Sequence, residues 1–564
     1  MSNAKFCTLN PFTQPNSVTY KEGNLYVTHT TSAWRTSTGS IGVKTGKWYW
    51  EAYQISDESG NGFPVGVYDM DTGLFVDKQA GDTPQGQATK GAAYSAYTAY
   101  NATTSSIYNG GTETQATLAK GAATNVWQCA LDLDNGKIWF GINNSWHNSG
   151  NPATGTNASY SGGQLSDSTV RTWVPITCSY STSGSEDYPQ NFGTDSTFRG
   201  RATAGSGADD NGFGNFKYSP PSGFLALCSA NLTIAEAIDP SQGNKPADYF
   251  DVLTYTGDGG TSTNITGLNF QPDWVLIKNR DQTDGWLNQN SVSGVGVTHE
   301  WNDDGPYESE TDCITAFNSD GFTVSNDHKV NASTEDYVAY CWKKSADAGF
   351  DIVEYTGNSS TNNVSHSLGA SPEVIMMHLK SGTDWDSTMF MSDTVASGMG
   401  TGEGVFMTLS NAAQTTTYMT SVSSSTFTPT SSANQTGRTY VAYLFRTIEG
   451  FSKFGQYTGN GGADGPFIQL PFKPRMFWIK NIDSSSGWTV IDTARYTRNN
   501  ANGPGRLEWN FNSAEVTGSS ATREMDITSN GFKIRSTNSN INTDGNRYIY
   551  GAFADVPFKY NNAF

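Results

Sequence analysis

Four short patterns recur three times, in one order and at nearly constant spacing, along the C-terminal part of the chain. Tyr-Thr-Gly begins at Tyr255, Tyr355 and Tyr457, 100 and 102 residues apart. Each copy ends a Phe-led segment: FDVLTYTG from Phe250, FDIVEYTG from Phe350 and FSKFGQYTG from Phe451. Each is followed by a Pro-initiated apolar run, PDWVLIKN from Pro272, PEVIMMHLK from Pro372 and PRMFWIKN from Pro474, again 100 and 102 residues apart. DGFTVS, STFTPT and NGFKIR place Phe322, Phe427 and Phe532 at intervals of 105 and 105, and DYVAYCW, TYVAYLF and RYIYGAF close the copies at Tyr337, Tyr440 and Tyr548. Such self-similarity fixes boundaries directly: residues 249–347, 348–448 and 449–564 are three tandem β repeats. The apolar runs, bounded by Gly, Pro, Asn or Asp, read as strands buried on one or both faces, and no segment carries a long helical period. At about 100 residues each, the copies are large enough for separate cores, which predicts beads on a string rather than a short-repeat solenoid. The repeated Trp, Phe and Tyr positions read as core.

Composition points the same way. Charged residues are 15% of the 564, against about 25% in an average globular chain. Aromatic residues are 13%, with 15 Trp, 27 Tyr and 29 Phe, far too many for a disordered chain. Poor helix formers, with aromatic and β-branched clusters between Gly, Asn and Ser turns, indicate an all-β class. At roughly 150 residues per domain the length allows about four domains: a sandwich over 1–230, a connector over 231–248, and the three repeats. In the connector, Leu232, Ile234, Ala235 and Ile238 fit short helical turns that Pro240 stops.

The balance of 34 basic and 53 acidic residues, net −19, disfavours nucleic-acid binding. No run approaches the ~18 apolar residues of a membrane span, and MSNAKFCTLNPFTQP lacks a secretory apolar core. No membrane insertion is expected, and secretion by that route is not expected. The six cysteines form no CxxC pair and read as buried thiols rather than a disulfide framework or zinc knuckle.

The N-terminal region has a different strand grammar. KWYWEAYQI from Lys47 alternates Trp48, Trp50 and Ala52 with Tyr49, Glu51 and Tyr53; CALDLDNGKIWFGIN from Cys129 is two strands about an Asn135-Gly136 turn. The succession GKWYWEAY, VGVY, SIYNGG, VWQCALDLDNGKIWFGINNSW, a W-x-P strand at Trp173 and NFG at Asn191 resembles the SPRY family over residues 40–195. The resemblance implies a bent, concanavalin-like β-sandwich that binds partners through loops at one end and normally catalyses nothing. The chain departs from the family pattern in the long insertion over residues 143–170. The join of this module, through a connector containing IDPS, to the YTG, PDWVLIK and YVAY repeats is similar to virion proteins of marine tailed phages, especially cyanophages, which are often tail fibres. The full fold expected is thus all-β: an SPRY-like sandwich followed by three homologous β-sandwich repeats.

A search for chemistry finds little. Retaining glycosidases need two carboxylates about 5.5 Å apart; the nearest pair, Glu524 and Asp526, lacks the third acid of an E-x-D-x-x-E pattern because Ser529 stands there, and Thr311 takes the place of Glu524 in the first repeat. Asp132-Leu-Asp134 lacks the twelfth-position Glu of an EF-hand, Asn143 standing there, so it reads as a hairpin turn. Calcium at turn carboxylates such as Asp303-Asp304 or Asp57-Glu58 stays open. The six histidines form no H-x-H or H-x-x-x-H pair, and neither G-x-S-x-G nor a phosphate loop occurs. No catalytic residue, cofactor or defined metal site is expected. Recognition remains: sugar rings stack on exposed aromatics assisted by polar side chains, and loops mixing rings with Asn, Ser and Gly nominate Trp146, His147 and Tyr160 in the insertion, and Trp301 and Tyr307 in EWNDDGPY. The alternative is that these rings pin their own loops or a neighbouring subunit.

These readings lead to a non-enzymatic virion protein, a tail fibre or similar appendage contributing to host attachment. Its expected partners are other virion proteins and a host surface glycan or protein, with trimeric assembly by analogy to fibres. A decoration, collar or adaptor protein is the alternative, and a polysaccharide-degrading enzyme a third.

Overall fold

Beyond Lys47, strand Lys47–Tyr53 is buried along its whole length in the computed structural model. The sequence shows two alternating faces there, and the fold covers both. The structure describes residues 4–13, 18–29, 34–55, 61–71, 93–97, 104–109, 112–119, 123–168, 171–180, 188–382, 387–400, 402–416, 418–496, 505–517 and 523–561. These divide into two compact units, Met1–Thr233 and Ile234–Phe564.

In the first unit, one sheet runs Ser145–Trp146, Lys137–Ile142, Val126–Asp132, Lys47–Tyr53, Gln190–Asn191. The other runs Trp34–Thr38, Trp173–Tyr180, Asn61–Asp69, Ala93–Tyr97, Thr104–Asn109, Thr112–Ala119. They pack through Asn61–Asp69, which meets both Lys47–Tyr53 and Val126–Asp132. The outer face, with Tyr49, Ala130 and Trp139, is closed by Phe216, Phe224, Ala226 and Cys228 from the end of the unit. Glu51 fastens this cover: its carboxylate accepts from Tyr49 OH (2.9 Å), Tyr218 N (2.8 Å), Lys217 N (2.8 Å) and Asn191 Nδ2 (3.2 Å). All six cysteines are buried free thiols.

The second unit repeats one plan three times. Each repeat pairs a large antiparallel sheet with a three-stranded one. The large sheets run Phe250–Thr256, Asp336–Trp342, Trp274–Asn279, Leu287–Asn290, Val297–Glu300, Glu308–Ser309; then Phe350–Thr356, Thr439–Phe445, Val374–Ser381, Thr388–Met391, Val405–Phe406; and Ser452–Thr458, Arg547–Pro557, Phe472–Asn481, Thr489–Asp492, Leu507–Glu508. The repeated tyrosines explain themselves. Tyr255 stacks on Tyr337, Tyr355 on Tyr440 and Tyr457 on Tyr548, with centroids 5.1, 5.1 and 4.9 Å apart. The hydroxyls of Tyr255, Tyr355 and Tyr457 donate to the carbonyls of Val330, Ala433 and Ile541, each at 2.7 Å. Beside each pair a buried asparagine, Asn331, Asn434 or Asn542, clasps the loop after Tyr-Thr-Gly by bonding Asp258 and Gly260 O, Asn358 and Ser360 O, or Asn460 and Gly462 O.

Strand alternation sends the two sets of side chains to different cores. Val275, Ile277, Ala339 and Cys341 pack beneath the first repeat's own small sheet, as their counterparts do in the other repeats. Trp274, Leu276, Tyr340 and Trp342 point the other way, into one core shared with Val374, Met376, Tyr443 and Phe445 of the second repeat and Met476, Trp478, Trp509 and Phe553 of the third.

The arrangement closes on itself, because the same backbone bond recurs at every junction: Tyr307 N to Lys380 O (3.1 Å), Ala413 N to Ile482 O (2.9 Å) and Glu515 N to Arg280 O (2.8 Å). The separate beads expected from repeat length are therefore replaced by a ring. Periodicity shows that a strand has two apolar faces, but not that a sister repeat covers the second. The connector differs as well. Three 3-10 turns, Glu236–Ile238, Pro240–Gln242 and Pro246–Asp248, replace the expected helical turns, Pro240 opens one of them instead of stopping a helix, and Ile238 is buried in the shared core.

Two outcomes are expected. Trp274→Ala should cost about 3–5 kcal/mol and, because Trp274 lies in the shared core, lower the single denaturant transition of the whole ring; separate transitions for the three repeats would contradict a common core. In the first unit, burial raises Glu51 from the ordinary 4.5 to about 7 against its four donors. The folded state then holds the proton longer than the unfolded state, so stability is highest below the unfolded value and falls as pH rises from about 4.5 to 7. Asp69, raised to about 7 by burial and then by the Asp71 charge, adds to this trend. Glu51→Gln should remove the Glu51 share, on the order of 3 kcal/mol, from the pH dependence of unfolding of the first unit.

Candidate recognition site

The insertion extends the free edge of strand Lys137–Ile142. Asn143 and Asn144, both at positive φ (49° and 64°), make the tight turn into Ser145–Trp146, the geometry that two-residue hairpins favour. Asn143 Oδ1 also accepts from Val126 N at 2.9 Å. Farther along, Tyr160–Ser161 pairs with the other end of the same strand. Between them the loop is tied down by Lys137 Nζ to Gly155 O (2.8 Å), Trp139 Nε1 to Thr156 O (2.9 Å) and Phe140 N to Ser159 Oγ (3.0 Å).

Trp146 lies opposite Gly141, whereas Tyr160 lies opposite Ile138. An odd offset puts them on opposite faces of the sheet. Trp146 and Tyr160 are therefore set apart, with His147 next to Trp146 in the chain; all three are half-buried. Trp146 rests on the group formed by Tyr49, Trp139, Phe216 and Phe224. His147 Nδ1 is buried without a hydrogen-bond partner, and burial lowers its pKa.

Trp301 and Tyr307 lie where the first and second repeats meet. Trp301 is 0% exposed, with its ring 4.1 Å from His378, 5.2 Å from Trp274 and 5.9 Å from Trp509, so no face is open to a sugar. Tyr307 stacks on His299 at 5.0 Å, and its hydroxyl meets Asn288 Nδ2 and Tyr443 OH, each at 3.0 Å. These two rings join repeats. Composition placed them in a polar loop, but the loop folds back across the junction. Sequence reasoning also passed over His299, His378 and Tyr443. The available signal was positional: His378 stands where the aligned repeats have Lys278 and Lys480.

The remaining acidic candidates are engaged in structure. Asp526 pairs with Arg535 at 2.6 Å. Asp132 accepts from Asn135 N (3.0 Å) and Asp134 from Gly46 N (2.7 Å), supporting the hairpin. Asp303 accepts from Asp304 N, and Asp57-Glu58 lie outside the described residues. Among the described residues, Asp312, Cys313 and Asp327 bring ligand-type atoms within 4.8 Å of one another. Burial, then the nearby carboxylates, push the Cys313 thiol well up. No helix of the described residues is long and apolar enough to cross a membrane.

Fold and site together define a two-part all-β protein: a sandwich whose edge carries an ordered, ring-bearing insertion, and a closed ring of three homologous sheet pairs. The chain belongs to the family described as a domain of unknown function, DUF7483, whose model matches residues 245–557, spanning all three repeats. No curated protein matches the sequence. Among solved structures, the chain is similar to the SPRY domain of human HERC1, with 20% identity over 31% of this chain and 91% of that one and a TM-score of 0.23. It is also similar to the TRIM65 PSpry domain, with 12% identity, 33% and 90% coverage and a TM-score of 0.25. For stonustoxin the values are 15% identity, 33% and 27% coverage, and a TM-score of 0.22.

Proposed function

We propose that this is a non-enzymatic virion protein, a tail fibre or related appendage in which the insertion edge of the first unit contacts a host surface glycan or protein. The observation that carries this reading is the half-exposed Trp146–His147 pair, held on a hydrogen-bonded extension of the sheet. An aromatic face fixed before binding loses little conformational freedom when a sugar or peptide stacks on it. The resemblance of the sandwich and repeats to phage virion proteins supplies the context. Trimeric assembly, carried over from fibres, would multiply weak single contacts into avidity.

A second reading, a virion assembly protein that touches no receptor, is favoured by Val292, Val295 and Phe511, which are 40%, 50% and 41% exposed on the second unit; apolar groups of this kind suit contact with another protein.

The two separate by binding. Fluorescently labelled full-length protein should stain host cells and compete with particle adsorption, and Trp146→Ala should weaken staining about tenfold while thermal unfolding of the second unit is unchanged. Staining that survives Trp146→Ala removes the insertion edge as the contact. Absence of staining, with tight binding to another virion protein, transfers the role to assembly.

A further inference from the structure

Two imidazoles from different repeats meet in the junction of the first and second repeats. His299, on Val297–Glu300, and His378, on Val374–Ser381, have ring centroids 4.7 Å apart, and their exposures are 3% and 0%. His299 Nε2 lies 3.1 Å from the carbonyl oxygen of Gly305 and so must carry the hydrogen. Its Nδ1 is buried with no hydrogen-bond partner. His378 Nδ1 meets Ser387 Oγ at 2.7 Å, and its Nε2 is likewise buried without a partner. A second proton on His299 would thus create a buried N–H with no acceptor, and protons on both rings would place two buried cations side by side.

The sister junctions differ at both positions. Strand pairing aligns His299 with Val405 and Leu507, which do not titrate. It aligns His378 with Lys278 and Lys480, whose ammonium groups bond backbone carbonyls. The loop carried by this strand is also the one that crosses to the neighbour at each junction, through Tyr307, Ala413 or Glu515.

We propose that the junction between the first and second repeats is an acid-sensitive joint, loosened when His299 and His378 take up protons while the other two junctions stay closed. Burial holds His299 down at about 4, and burial, then the neighbouring His299, holds His378 well below the usual histidine range. Both folded values lie below that of an unfolded histidine, near 6.5. The stabilisation is therefore complete above about pH 6.5 and is lost as pH falls from there toward 4. Lys278, lowered by burial to about 8, protonates above this window, and Lys480, lowered by burial to about 7, completes its protonation at the window's upper edge. The charged groups around the pair are exposed Asp303, which favours the protonated ring, the Lys380–Glu354 ion pair, and Lys329 shared between Glu300 and Glu310. Tyr307 and Tyr443 complete the titratable surroundings, and both hydroxyls are pushed up by burial.

Hydrogen exchange of the full chain at pH 7 and 4.5, corrected for intrinsic rates, tests the joint through the three homologous crossing loops. Peptides over 299–310 should lose protection at least about tenfold, whereas peptides over 405–414 and 507–517 should keep theirs. The variant His299→Leu with His378→Gln should hold 299–310 protected at pH 4.5. Equal loss at all three loops, no loss at 299–310, or the same loss in the double variant would each overturn the proposal. The wild-type comparison decides by itself if the variant does not fold.

Discussion

A sheet with two apolar faces must be covered twice, and the second unit follows from that requirement. In each repeat a three-stranded sheet covers one face of the large sheet. The opposite face carries the largest rings, among them Trp274, Trp342 and Trp478, and these find cover only in one another. Close packing of such rings rewards a single arrangement and penalises voids. Three repeats that might have been independent are thereby made one body, with Phe250 of the first lying 4.9 Å from Phe553 of the third.

Homologous repeats could in principle associate in a wrong order or with another chain, and their junctions resist this by being chemically unlike. Between the third and first repeats a buried ion chain runs from Asp492 to Arg495, Glu515 and Arg280, with Tyr340 OH donating to Asp492 at 2.7 Å. Between the first and second repeats Asn288, Asn290, Tyr307 and Tyr443 form a neutral hydrogen-bonded group, and Lys344 pairs with Asp351 at 2.8 Å. Between the second and third, Arg547 joins Glu403 and Asp483, and Trp488 Nε1 donates to Phe406 O at 3.1 Å. Removing one partner of a buried ion pair is expensive, about 3–5 kcal/mol. A misordered ring that strands Arg495 or Asp492 is disfavoured accordingly.

Much of this plan was legible in the sequence because it is local or periodic. The strands and the all-β class came from spacing and alternation, and of the marker tyrosines read as core, Tyr337, Tyr355, Tyr440, Tyr457 and Tyr548 are buried and Tyr255 is partly buried. What escaped depends on contacts between distant segments. Glu51 was legible as a member of the face it shares with Tyr49 and Tyr53, but not as a buried clasp, because the backbone that bonds it, at Lys217 and Tyr218, lies 166 and 167 residues away. Trp301 and Tyr307 looked like binding rings because a loop rich in Asp, Asn and Gly normally faces water, and nothing local announces that it crosses a junction. In the insertion, the residue types were visible but the faces were not: which strand positions Trp146 and Tyr160 oppose decides that they point apart.

Ring closure also sets a condition on synthesis. Arg280 and Glu515 are 235 residues apart in the chain, and strand Arg547–Pro557 lies inside its sheet, between Ser452–Thr458 and Phe472–Asn481. A ribosome adding about 5–20 residues per second therefore exposes two repeats, with their tryptophan faces uncovered, for many seconds before the last strand can be inserted. Growing chains crowded on one message present these faces to each other at high local concentration. Prompt completion and spacing of the nascent chains then matter to yield as much as the stability of the finished ring.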